Sequence, residues 1–104
     1  MVDRAARDAY AQLLRHFASG VITNDEYDDR FFQIHDDTSD PALWCIWEAV
    51  WPCYCDLRTY RLRGKHTLSP ETRRVIARAI HCANIITTQS PGVEICLLMS
   101  ALFT

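Results

Sequence analysis

Cysteine and histidine are the residue types in this chain best suited to chemistry. There are five cysteines (Cys45, Cys53, Cys55, Cys82, Cys96) and four histidines (His16, His35, His66, His81). Zinc motifs space paired ligands so that both reach one tetrahedral ion, usually across about two to four intervening residues. Cys53 and Cys55 have one residue between them, and His81 and Cys82 are adjacent, so on a helix they face different directions. A cysteine nucleophile needs a histidine placed to hold the thiolate, and no local signature of such a pair occurs. No catalytic residue, cofactor or metal is assigned, and no enzyme is expected, because function has to be argued from a site. The cysteine count is odd, so any set of internal disulfides leaves a thiol over. The first 40 residues hold many Asp and Arg and no apolar run of signal-peptide length. Free, buried thiols in a reducing cytoplasm are the expectation.

Charge carries more information than the thiols. The formal net charge of -2 argues against a general affinity for nucleic acid or anionic membrane, so only its local distribution can indicate a partner. Residues 25–40 hold seven acids against Arg30 alone, and residues 58–78 hold seven bases against Glu71 alone. Complementarity to helix dipoles explains part of this, since Asp25 and Glu26 open a helix and Arg58, Arg61 and Arg63 close one. The rest defines an acidic patch (Asp25, Asp28, Asp29, Asp36, Asp37) and a basic patch (Arg58, Arg61, Arg63, Lys65, Arg73, Arg74, Arg78). These patches can pair within one molecule, between two copies, or with a foreign partner.

Two functions follow from that polarity. The first is a small helical protein-binding module, an adaptor or inhibitor, capable of self-association as a homodimer. The alternative is a nucleic-acid-binding regulator that uses residues 58–78. Against the second, the connection 64–69 is longer than a helix-turn-helix turn, and the following helix lacks the Asn, Gln and Arg cluster that reads base edges. Large aromatics favour the first. Trp44, Trp47 and Trp51 follow one another at helical spacing with Tyr54 beyond them. Such a stripe is ordinarily core, but this one has more bulk than one helix face needs, which leaves a ring over as a partner-facing anchor.

The elements that position these residues are helices throughout. A length of 104 residues fits one domain, and the 49% apolar and 23% charged composition is that of a globular protein with its own core. The pattern predicts an all-α bundle of four to five helices, at about 3–19, 23–35, 40–62, 69–87 and 93–103. Tyr10, Leu13, Leu14 and Phe17 line the first helix, which Gly20 stops. Thr23 and Glu26 form a capping box, with Ile22 and Tyr27 as a hydrophobic staple. Asp40 with Pro41, and Ser69 with Pro70, are two further start signals. Pro52 is expected to kink or split the third, core helix. The last segment is apolar but far shorter than the roughly 20 residues a bilayer span needs.

The stretch Phe17-Ala18-Ser19-Gly20-Val21-Ile22-Thr23-Asn24-Asp25-Glu26-Tyr27 resembles the SHOCT type of short bacterial helical hairpin. That family joins two helices through a Gly-x-Ile-Thr-x-x-Glu-aromatic turn. The resemblance covers about a third of the chain. SHOCT hairpins usually sit at the C-terminus of longer proteins, whereas this one lies in the N-terminal hairpin, 1–35. The resemblance implies oligomerisation or docking and carries over no catalytic residue.

Overall fold

The computed structural model describes residues 3–54 and 58–84, apart from the Lys65 side chain. Helix α1 (Arg4–Ala18) starts at Asp3, whose carboxylate accepts from the Ala6 amide, and ends before Gly20 at φ 77°. Helix α2 (Asn24–Asp36) opens on the complete capping box: Thr23 Oγ1 accepts from the Glu26 amide, and Glu26 accepts from the Thr23 amide. Helix α3 (Ala42–Val50) runs into a 3₁₀ turn, Trp51–Cys53. A second 3₁₀ turn, Gly64–His66, precedes helix α4 (Pro70–Asn84), where Ser69 Oγ accepts from the Thr72 amide. Among the described residues there is no strand, and one antiparallel bridge joins Thr23 to Arg61. The protein is an all-α bundle, with α1 against both α2 and α4, and α3 against α4.

Three expectations need correction or fall outside this description. The core helix does not reach residue 62. Pro52 has no N–H to donate to the carbonyl four residues earlier, so the α-helix stops at Val50. Tyr54 is then extended (φ -144°, ψ 167°), and residues 58–63 return as irregular chain. The thiols are not all free: Cys45 is disulfide-bonded, while Cys53 and Cys82 are free. The helix expected at 93–103 lies outside the described residues, as does the end of the one expected to reach 87. No described helix is long and apolar enough to cross a membrane.

The core is built from α1, α2 and α3 aromatics and aliphatics. Tyr10, Leu14, Phe17, Tyr27, Phe31, Leu43, Ile46 and Val50 are fully buried, and Ile76, Ala79 and Cys82 of α4 close the far side. Tyr10 and Tyr27 share a hydroxyl–hydroxyl hydrogen bond of 2.6 Å in that interior, so neither polar tip is stranded. Phe17 stacks on Tyr27 with centroids 4.4 Å apart, within the range where ring pairs add to area burial.

One charged pair sits inside this core. Arg7 and Asp40 are both buried, with Nε–Oδ2 at 2.6 Å and Nη2–Oδ1 at 3.1 Å. The same carboxylate accepts from the backbone amides of Asp3 (2.9 Å) and Ala42 (3.1 Å). Thr38 Oγ1 donates to Asp3 and accepts from the Asp40 amide, so a single network joins the starts of α1 and α3. Asp40 therefore belongs to the interior and not to a surface run of acids. Burial alone would raise its pKa, but Arg7 and the two amides outweigh burial and hold the carboxyl below the ordinary value.

Removing one partner strands the other charge in a dry site. Asp40→Asn is expected to lower unfolding free energy by about 3–5 kcal/mol, whereas the double replacement Arg7→Met with Asp40→Leu is expected to recover most of it. Urea unfolding of the single and double variants measures both. A carboxyl whose folded pKa is depressed adds stability in full above its unfolded value of about 3.9, and loses it as pH falls through the folded value. The urea midpoint of the wild type should therefore drop steeply below about pH 4, and Asp40→Asn should show a shallower drop over the same range.

Candidate functional site

Two surfaces of opposite character stand out, and each is assembled by the fold. The first lies on α2 and α3. Trp47 is 7% exposed and belongs to the core, but Phe32 (39%), Trp44 (38%) and Trp51 (44%) reach solvent around it. The rings are continuous: Trp44 lies 5.0 Å from Trp47, Trp51 4.7 Å, and Phe32 5.6 Å. His35 closes one end, 5.4 Å from Trp44. Trp44 Nε1 donates to Glu48 at 2.6 Å, which fixes the indole along its own helix. Monomeric domains seldom leave large rings adjoining and half-exposed.

Carboxylates edge this aromatic surface. Asp25, Asp29, Phe32 and Asp36 recur at three- and four-residue steps, so they form one ridge along the exposed side of α2. The acidic patch is thus partly brought together and partly not. Asp29, Asp36 and Asp37 are exposed. Asp28 instead accepts from the Tyr54 hydroxyl at 2.5 Å, and Asp25 accepts from the Thr59 hydroxyl. Those two bonds clamp Tyr54 and Thr59 onto α2.

The second surface depends on Asn24, which the sequence did not single out. Its buried amide accepts from the Tyr60 backbone at 2.9 Å and donates to the Arg58 carbonyl at 2.8 Å. The returning chain therefore lies across the start of α2, and Leu62 reaches the core. Beside it, Gly20 lets Arg63 approach: a Cβ there would come 2.5 Å from Arg63 Cγ and 3.1 Å from the Leu62 carbonyl. Between α1 and α4 this leaves an open groove of about 630 Å³. Its floor includes Leu62, Ile76 and Ile80, and Arg15, Arg63 and Arg73 line it. None of these three arginines has a carboxylate partner among the described residues.

Only part of the basic patch contributes to this groove. Arg63 and Arg73 line it, and Arg15 joins them from α1, outside the segment marked by charge density. Arg61 is occupied differently, its Nε donating to the Val21 carbonyl at 3.4 Å. Arg58, Arg74 and Arg78 are exposed but do not line the groove, and the Lys65 side chain lies outside the described residues.

Among the described residues, Cys53, Cys82, Tyr10 and Tyr27 are all shifted away from their ionised forms. Burial raises the pKa of the Cys53 and Cys82 thiols, which disfavours thiolate. Burial also raises the Tyr10 and Tyr27 phenols, so both remain protonated donors. Among the described residues no cluster of three His, Cys, Asp or Glu could hold a metal ion. No protein family, curated protein or solved structure matches the chain, so its surfaces have to be read from their own chemistry.

Replacing Asn24 by alanine removes both side-chain bonds to residues 58–60 and should cost about 1–3 kcal/mol. Gly20→Ala adds strain at positive φ to a clash with Arg63, and should cost at least about 1 kcal/mol. Thermal unfolding measures both losses. Faster amide exchange confined to residues 58–63 would locate the Asn24 effect in the returning chain.

Proposed function

We propose that this protein is a small protein-binding module, an adaptor or inhibitor, whose docking face is the aromatic surface of α2 and α3. One observation carries the reading: Phe32, Trp44 and Trp51 are half-exposed, each packed on Trp47, and edged by acids. Trp anchors surrounded by polar groups dominate the energetics of protein interfaces, and charge around them steers encounter. The resemblance of the Gly20–Tyr27 turn to a SHOCT hairpin supports the same docking role. The reading does not depend on compartment. A disulfide at Cys45 fits an oxidising environment, and the free thiols of Cys53 and Cys82 fit a reducing one, so the cytoplasmic expectation gains no support from the thiols.

A second reading, nucleic-acid binding, is favoured by Arg15, Arg63 and Arg73 converging without carboxylate partners among the described residues. Its mark is a binding constant that falls with salt, with a shallower slope after Arg63→Gln and Arg73→Gln. The acidic ridge and net negative charge weigh against it.

The protein-binding reading is tested with Trp44→Ala and Trp51→Ala, whose side chains are already partly in solvent. Each should lower affinity for a co-purifying protein by at least tenfold, about 1.4 kcal/mol, while shifting the urea midpoint little. Undiminished capture by both variants would overturn it.

A further inference from the structure

The groove between α1 and α4 and the ridge on α2 are complementary in charge and in relief, and both belong to the same chain. The groove has an apolar floor (Leu62, Ile76, Ile80) beneath three arginines with no carboxylate partner among the described residues. The ridge has Phe32 at its centre, with Asp29 on one side and Asp36 on the other, and Asp25 beyond Asp29. From Asp25 to Asp36 it extends about 16 Å at the helical rise per residue. Among the described residues no ion pair joins the two: Asp25 accepts from the Thr59 hydroxyl, and neither Asp29 nor Asp36 meets an arginine.

We propose that the groove is an acceptor for the α2 ridge of a second copy of this chain. Phe32 of the incoming copy covers the groove floor at the half-buried Ile80, and Asp29 and Asp36 meet Arg63, Arg73 and Arg15. The proposal rests on the protein-binding reading and names one partner for it. Groove and ridge are different surfaces, so the contact is head-to-tail. Each pair keeps one free ridge and one free groove, and assembly continues unless the rotation closes a ring. The contact is largely electrostatic and so weakens as salt rises.

Sedimentation velocity over a concentration series, at low and at high ionic strength, tests it with four exposed residues. Wild type should grow in average mass with concentration at low salt and revert at high salt. Arg63→Gln with Arg73→Gln, and separately Asp29→Asn with Asp36→Asn, should each weaken self-association at least tenfold. Mixing these two variants should give a one-to-one pair and nothing larger, because one supplies the only intact ridge and the other the only intact groove. Circular dichroism checks that both stay folded; Phe32→Ala supplies an independent ridge variant if one does not. A wild type that stays monomeric, or assembles regardless of salt and of both variants, overturns the proposal. So does a monomeric wild type whose arginines shift an RNA or DNA duplex instead. If self-association fails while Trp44→Ala still loses a co-purifying protein, the self-pairing is overturned and the binding reading stands.

Discussion

The buried pair of Arg7 and Asp40 is the constraint on which the arrangement depends. Two charges are brought out of water, and only close geometry and further hydrogen bonds make that tolerable. Asp40 meets the requirement with the Arg7 guanidinium and two backbone amides. Arg7 does so less completely, since its Nη1 is buried without a partner. Hydrophobic contacts would let α3 slide or rotate against α1 at modest cost. A paired carboxylate does not, because any other register leaves a charge unpaired. The orientation of α3 follows from this, and with it which indoles turn inward and which reach solvent.

A second set of polar bonds fixes the returning chain. Asn24 holds residues 58–60, while Tyr54 and Thr59 grip Asp28 and Asp25. Together they hold Tyr54 and residues 58–60 against α2. That path brings Arg63 over Gly20 and beside Arg15 and Arg73. The charge separation in the sequence thus becomes two surfaces because side-chain hydrogen bonds, and not ion pairs, hold the chain between them.

Local chemistry was the legible part of the sequence. The Thr23–Glu26 box, the Ser69 cap and the Gly20 stop each involve residues within a few positions of one another, and they appear as expected. Features set by distant residues were not legible. Asp40 reads as a helix cap, and nothing local says that Arg7, 33 positions earlier, will bury it. Asn24 reads as part of a helix start, yet its amide serves a segment more than 30 positions away. Helical periodicity also extended α3 too far, because apolar spacing continues through Tyr54 while the proline removes the backbone bond that would sustain it. The charge runs located both surfaces but mixed their members, since linear density does not separate an arginine lining a groove from one bonded to a carbonyl.

The brevity of α3 has a kinetic consequence. Nine residues give a helix of about 13 Å, which carries Trp44 and Trp47, with Trp51 in the 3₁₀ turn that follows. A partner docked on the proposed face would meet a small aromatic footprint that cannot be lengthened along the helix. Small contacts bury less area than long-lived complexes generally do, and differences in affinity among related contacts lie mostly in how fast they separate. A face of this size suits brief, repeated occupancy, with partners exchanging faster than a permanent subunit would.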